Sequence, residues 1–483
     1  MDVRDNGDAH GRRTLAQGLG VVVLAVLGLG AAAFLWQTEV PALSLPDLDP
    51  RDYFTAAEIE RNQEYRRGSR ALLLGGLAAE LLALSVLVWK ARPLAARLGR
   101  GRVRTAGLLA TFAVVSVWGV GLPFAAAAHV RRVDHGLSEQ GWGGWIADRA
   151  LSLGVQVVLV TAAVAGAVWL AARFGARWWL AGAPALVTLG VVVVLAQPLV
   201  IAPLFNRFEP LADRQLAADV EALAREMGVE VDDVLVADAS RRTTTANAYV
   251  AGIGPTRRVV LYDTLLDGRF TEGEILSVSA HELAHVGERH LWKGLAWFAL
   301  FAVPGVAVLA WVTERRGGLA DPRLVPLALA FVFVYVLLTQ PLANAVSRRY
   351  EAEADWLALQ ATGDPESAVS LERRFVTTSL SDPDPPGWVT YWFGTHPPPL
   401  ERIAMAEVSA ASAAQASSGG AGRPCSGRFR MPSRVDHFDH ESVIAAMSSC
   451  MKRGDMFTRV TTTPGTSPSS TSWSMRANVS VNS

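Results

Sequence analysis

Seven stretches of this chain stay apolar for about twenty residues each, the length at which a helix crosses the hydrocarbon of a bilayer. They cover residues 15–36, 71–89, 105–128, 151–172, 178–202, 292–312 and 324–343. Only a helix or a closed barrel satisfies its backbone polar groups inside a membrane, so these runs dictate a helical, multi-pass architecture. The first run follows Arg12 and Arg13, and Ala31-Ala32-Ala33 could mimic a signal-peptide cleavage site. It is long for a signal sequence, which favours a retained helix. Pro198 and Pro203 should kink or end the fifth span. Glu80 sits inside the second, where a carboxylate is costly and must line a cavity or bond to a neighbouring helix. Trp142 and Trp145 suit a membrane interface.

Residues 205–290 have a different character. Residues 211–227 read as an amphipathic helix, and 234–237, 247–252 and 258–262 as short strands, the last two flanking Gly254-Pro255. The predicted fold class is therefore a mostly α, multi-pass membrane protein of about seven transmembrane helices with a small α+β insert. Its divisions are a membrane region 1–204, the insert 205–290, a segment 291–408 with two further spans, and a tail 409–483. The tail is rich in Ala, Ser, Gly and Thr, which predicts disorder. A formal net charge of +0 gives no support for nucleic-acid binding. The two cysteines, Cys425 and Cys450, both lie in the tail, so a metal site elsewhere must use nitrogen and oxygen ligands.

Such ligands stand at the end of the insert, in His281-Glu282-Leu283-Ala284-His285. On a helix, two histidines four apart share a face and can reach one zinc ion, and the intervening Glu282 occupies the general-base position of a metalloprotease. A capping box of Thr271 with Glu274, and apolar Ile275, Leu276, Val278, Leu283 and Val286, support that helix. A catalytic zinc takes three protein ligands and leaves one position open. Metzincin spacing would need a glycine at 288 and a histidine at 291; this chain has Glu288 and Leu291, with His290 one place short. A glutamate from a second helix is the remaining common solution. The sixth and seventh spans leave and return to the same side, so the ligand should follow the seventh and not be Glu314 or Asp321. There Glu351 and Asp355 share a helix face, while Glu353 points away. Glu351 can bind zinc, and Asp355 can hold a ligand histidine from behind.

At these residues the chain closely resembles the type-1 CAAX prenyl proteases, seven-span zinc metalloendopeptidases of the membrane. The matches are Pro203-Leu204-Phe205-Asn206-Arg207-Phe208, Asn247-Ala248-Tyr249, residues 258–266, the zinc helix with His290, Ser347-Arg348-Arg349-Tyr350-Glu351 through Ala354-Asp355, and His396-Pro397-Pro398 with Arg402. Asp134-His135-Gly136 resembles an earlier loop. The zinc helix departs from the family, which usually has a glycine before the second histidine and a tryptophan after it; here Ala284 and Val286 stand there.

The resemblance implies one Zn2+ per chain on His281, His285 and Glu351, with Glu282 as the base. It places Asn247 and Ala248 along the substrate backbone and brings His396 and Arg402 to the substrate. It implies a chamber walled by membrane helices, a peptide or protein substrate, contact with membrane lipid, and no nucleic acid. The family name implies a prenylated C-terminal cysteine motif, and clipping of misfolded or membrane-associated proteins fits the same chamber. It also implies a multi-pass plasma (inner) membrane location with a cytoplasmic catalytic insert. That orientation turns the basic loop with Lys90, Arg92, Arg97, Arg100, Arg102 and Arg104 outward, against the positive-inside rule. The alternative function is a non-catalytic multi-pass transporter with a structural zinc, although the proposed ligands fall outside the spans.

Overall fold

The computed structural model describes residues 26–98, 101–418, 459–463 and 474–478. The tail cysteines, and residues 15–25 of the first expected span, lie outside them. The described part of that span is the apolar helix α1, Val26–Leu35. Six further helices among the described residues are long and apolar enough to cross a membrane, and each covers one of the other six expected runs to within one residue.

The first of the six, α2 (Ala56–Trp89), opens with a capping box between Thr55 and Glu58 and runs without a break into the second apolar run. Its polar first turns therefore extend the span beyond the apolar stretch. A short α3 (Ala91–Leu98) follows, then α4 (Arg102–Asp134), α5 (Trp142–Phe174) and α6 (Trp179–Ala196). At the prolines expected to kink or end the fifth span, the α-helix gives way to a π-helical turn at Gln197–Ile201, with Pro198 at its second position, which leads into α7 (Ala202–Phe205). Outward-facing Leu82 and Val158 are about two-thirds exposed in the chain alone, surface that a bilayer would cover. Glu80 lines a cavity of about 400 Å³ together with Arg149, Gln156 and Trp118, the first of the two alternatives for this carboxylate.

The insert begins with β1 (Phe208–Pro210), a strand the sequence reading did not anticipate because it is three residues long and ends on a proline. After α8 (Arg214–Glu226) come β2 (Asp233–Ala237), β3 (Ala248–Ala251) and β4 (Arg258–Tyr262), on the three expected stretches. The sheet order is β1-β2-β4-β3, with β2 and β4 parallel and both outer strands antiparallel to their neighbours. Val220 from α8, Val234 and Val259 from the sheet and Leu283 from the next helix, α9 (Glu272–Gly287), meet in one core.

The chain then re-enters the apolar region as α10 (His290–Glu314) and returns as α11 (Val325–Thr362). At 38 residues α11 is about 57 Å long, far more than a bilayer needs. Its second half leaves the apolar region and packs against α9. Three further helices, α12 (Pro365–Thr378), α13 (Gly387–Phe393) and α14 (Pro399–Ser418), complete this unit, and α14 continues past residue 409, where the composition changes. Among the tail residues, β5 (Arg459–Thr463) and β6 (Ser474–Asn478) pair antiparallel.

Candidate metal centre

Helix α9 is anchored at its N-terminal end. Thr271 caps it, and the reciprocal partner Glu274 is fully buried against Ser370 and Arg374 of α12. Burial alone would raise the Glu274 carboxyl, but the bonds from Ser370, Thr271 and Arg374 outweigh it and hold it below its ordinary value. With Ile275, Val278 and Leu283 committed to the core, the face that carries His281 and His285 is turned towards α11.

There the two imidazoles meet Glu351. The Nε2 atoms of His281 and His285 are 3.1 Å apart, His281 Nε2 lies 3.1 Å from Glu351 Oε2, and His285 Nε2 lies 3.6 Å from Glu351 Oε1. Tetrahedral ligands at 2.0–2.1 Å from a metal are separated by about 3.3–3.4 Å, so these spacings fit one ion. Donor atoms of the three residues all lie within 4.8 Å of one another, and they form the one such group of metal-ligating side chains among the described residues. Two nitrogens and a carboxylate are the donor set of a borderline-soft divalent cation.

Behind His281 stands a buried charge network. Its Nδ1 is 2.8 Å from Asp355 Oδ1. Arg402 donates to both oxygens of Asp355, from Nε at 2.8 Å and from Nη2, and its Nη1 lies 2.6 Å from Glu372 Oε1. Burial by itself would lower the His281 pKa, but the charge and hydrogen bond of Asp355, then the bond to Glu351, push it up to about 10. A cation held by the three donors would take the place of that proton, since a ligand imidazole must be neutral. Two carboxylates share the single Arg402 guanidinium; burial pushes Glu372 up to about 7, with the Arg402 charge pulling the other way.

The remaining expected residues are placed as follows. Glu282 is half-buried, and burial raises its carboxyl above the ordinary range against the opposing charges of His281 and His285. The His396 ring is more than half exposed, with Nε2 3.2 Å from Glu351 Oε2, so it borders the donor set. Arg402 gives its Nε and Nη2 to Asp355 and its Nη1 to Glu372, so it supports Asp355 from behind, and it also lines the cavity beside His396. Asn247 immediately precedes and Ala248 opens β3, an outer strand of the sheet that packs on α9. Ala248 is buried, Asn247 is exposed, and the Asn247 carbonyl accepts from Tyr262 N.

A cavity of about 490 Å³ adjoins the centre, lined by His396, Arg402, Glu372, Phe375, Arg70 and Asp382 among others. A larger one of about 710 Å³, by Glu209, Asp213 and Phe270, contains none of the donor residues. Sequence reasoning placed Glu353 away from the metal and gave it no role. It does point away, yet it is fully buried and 2.9 Å from His290 Nε2. Helical spacing carries no sign of that contact, because it depends on how α10 docks against α11.

Comparison with known proteins agrees with this geometry. Residues 210–409 match the family model for peptidase family M48, and residues 45–207 match that of the CAAX prenyl protease N-terminal region, described as five membrane helices. The chain is 31% identical over 315 residues to an uncharacterized metalloprotease, YhfN, of Bacillus subtilis, covering 63% of this chain and 74% of that protein. It is 28% identical over 313 residues to a CAAX prenyl protease 1 homolog of Oryza sativa, covering 62% and 73%. The crystal structure of S. mikatae Ste24p superposes with a TM-score of 0.65 at 20% identity, covering 79% of this chain and 97% of that one, which is a likeness of fold.

Proposed function

This chain belongs to peptidase family M48 as a multi-pass membrane metalloendopeptidase, and from that premise we propose that it is a zinc enzyme whose general base is Glu282. The observation that carries the proposal is the convergence of His281, His285 and Glu351 from two helices onto one tetrahedral-sized space. These residues would hold the zinc. Bound there, zinc supplies a Lewis acid that lowers the pKa of water and polarises a peptide carbonyl.

The chain's own residues do the rest. Glu282 takes the proton of the attacking water and returns it to the leaving amine, a role that a carboxyl raised by burial fills well. Asp355, clamped by Arg402, accepts from His281 Nδ1 and so fixes which nitrogen faces the metal. His396 borders the donor set on an exposed ring and can donate to the oxyanion that develops on the substrate. An extended peptide would add as a strand beside β3, with Asn247 and Ala248 along its backbone. The adjoining 490 Å³ cavity offers room for side chains next to the scissile bond.

The substrate is a membrane-associated protein or a CAAX-type C-terminal peptide, the latter in line with the names of the CAAX prenyl protease relatives. The insert and its metal centre stand on the cytoplasmic side of the plasma (inner) membrane. The test is cleavage by the full-length protein in detergent of matched peptides, plain and prenylated, beside Glu282→Ala. Cleavage of either peptide that disappears in Glu282→Ala is the expected result. Equal turnover by the variant would remove Glu282 from the mechanism, and preference for the plain peptide would remove the prenyl group from recognition.

A further inference from the structure

We infer that His290 and Glu353 are positioning residues of the metal centre, a relay that fixes His285 as a ligand through Nε2; the inference rests on the metalloprotease reading above. The Nε2 atoms of both ligand histidines face the metal position, so each Nδ1 faces outward. For His281 the outward partner is the Asp355 carboxylate. His285 Nδ1 meets no carboxylate; it lies 2.8 Å from the Nδ1 of His290. Two imidazole nitrogens at that distance must be one donor and one acceptor. Metal binding through Nε2 leaves the His285 proton on Nδ1, which makes His290 Nδ1 the acceptor. The His290 proton is then on Nε2, where Glu353 Oε2 receives it at 2.9 Å. A single tautomer assignment satisfies the ring nitrogens of both His285 and His290.

The structure goes to some length to hold this relay. Arg289, between α9 and α10, adopts the left-handed conformation at φ 57°, uncommon for a residue other than glycine, and the turn brings His290 back beside His285. The His290 ring stacks on Tyr350 with centroids 4.6 Å apart and planes 10° from parallel. Tyr350 is itself pinned, accepting from Trp297 Nε1 at 3.0 Å and donating to the Leu35 carbonyl at 2.6 Å. Glu353 is fully buried, receives the backbone N–H of Glu39 and has Lys293 Nζ at 3.6 Å. The relay thus runs from His285 through α10 and α11 to the segment after α1. The two ligand histidines are oriented by different chemistry, one by a carboxylate and the other by a neutral imidazole.

The test uses the full-length protein in detergent, with zinc affinity measured against a competing chelator and the visible spectrum recorded after cobalt substitution. His290→Phe keeps the ring stacked on Tyr350 but removes the acceptor. It is expected to weaken zinc binding about 10- to 100-fold and to shift the cobalt spectrum. His290→Asn, whose amide oxygen reaches the place of Nδ1, should recover most of both. If the Phe variant does not fold, Glu353→Gln keeps the shape and removes the charge, with an expected loss of about three- to tenfold. Wild-type affinity and an unchanged cobalt spectrum in His290→Phe, or in Glu353→Gln should the former not fold, would overturn the relay while leaving the metalloprotease reading in place. A wild-type protein that binds no zinc would overturn both.

Discussion

Glu282 and Glu351 carry the same side chain and are expected to fail in different ways. Glu282→Gln should retain the metal and lose about 10²- to 10⁴-fold in kcat, the usual worth of a general base. Glu351→Ala should lose the metal itself, which elemental analysis of the purified protein reads directly. Glu372 makes a separate prediction. Burial pushes its carboxyl from an ordinary 4.5 up to about 7. The folded chain therefore keeps a proton that the unfolded chain releases, and the stabilisation is full below pH 4.5 and lost as pH rises through about 7. Glu372→Gln keeps the bond to Arg402 without titrating. Its Tm should fall less than the wild-type Tm between pH 6 and pH 8 in a thermal scan. The three donors and the partner of His281 were legible in the sequence because helical spacing alone puts His281 with His285, and Glu351 with Asp355, on common faces. The contacts of Arg402 with Glu372, and of His290 with Glu353, were not, since each joins two helices whose relative placement no local pattern encodes.

At the scale of elements, the metal helix depends on its cap and its core face. Thr271→Ala removes one half of the capping box and should cost about 1 kcal/mol. Leu283→Ala, between the two ligand histidines but directed into the insert core, should cost about 2–5 kcal/mol and lower metal retention as α9 loosens. Chemical denaturation followed by tryptophan fluorescence would rank the two. Strands β2 and β4 were readable from their valine-rich runs, β3 from the short apolar stretch before Gly254-Pro255, and α9 from its capping box. Strand β1 was hidden by its three-residue length and by Pro210, and its pairing with β2 is a tertiary event. The polar opening of α2 lies before the apolar run at 71–89, although the capping box at Thr55 starts one continuous helix.

For the whole molecule, the long helix α11 joins the two halves of the problem. Its first half is a membrane span, and its second half presents Glu351 and Asp355 to α9, so the site is fixed relative to the apolar layer by one rigid element. The helices of that layer approach closely: a methyl group at Gly190 would come within 2.5 Å of the Phe298 ring. Gly190→Leu should therefore separate α6 from α10 and lower thermal stability in detergent, with His290 at the head of α10 disturbed in turn. Hydropathy made the spans legible, because a bilayer demands about twenty apolar residues whatever lies around them. The chain's central claim is tested most directly by measuring metal content and peptide cleavage on one sample of full-length protein, before and after chelation and on return of zinc. One zinc per chain is expected, with cleavage abolished by chelation and restored by zinc, and with Glu282→Gln binding zinc but not cleaving. Cleavage that persists in the metal-free protein, or a purified protein that takes up no zinc, would contradict it.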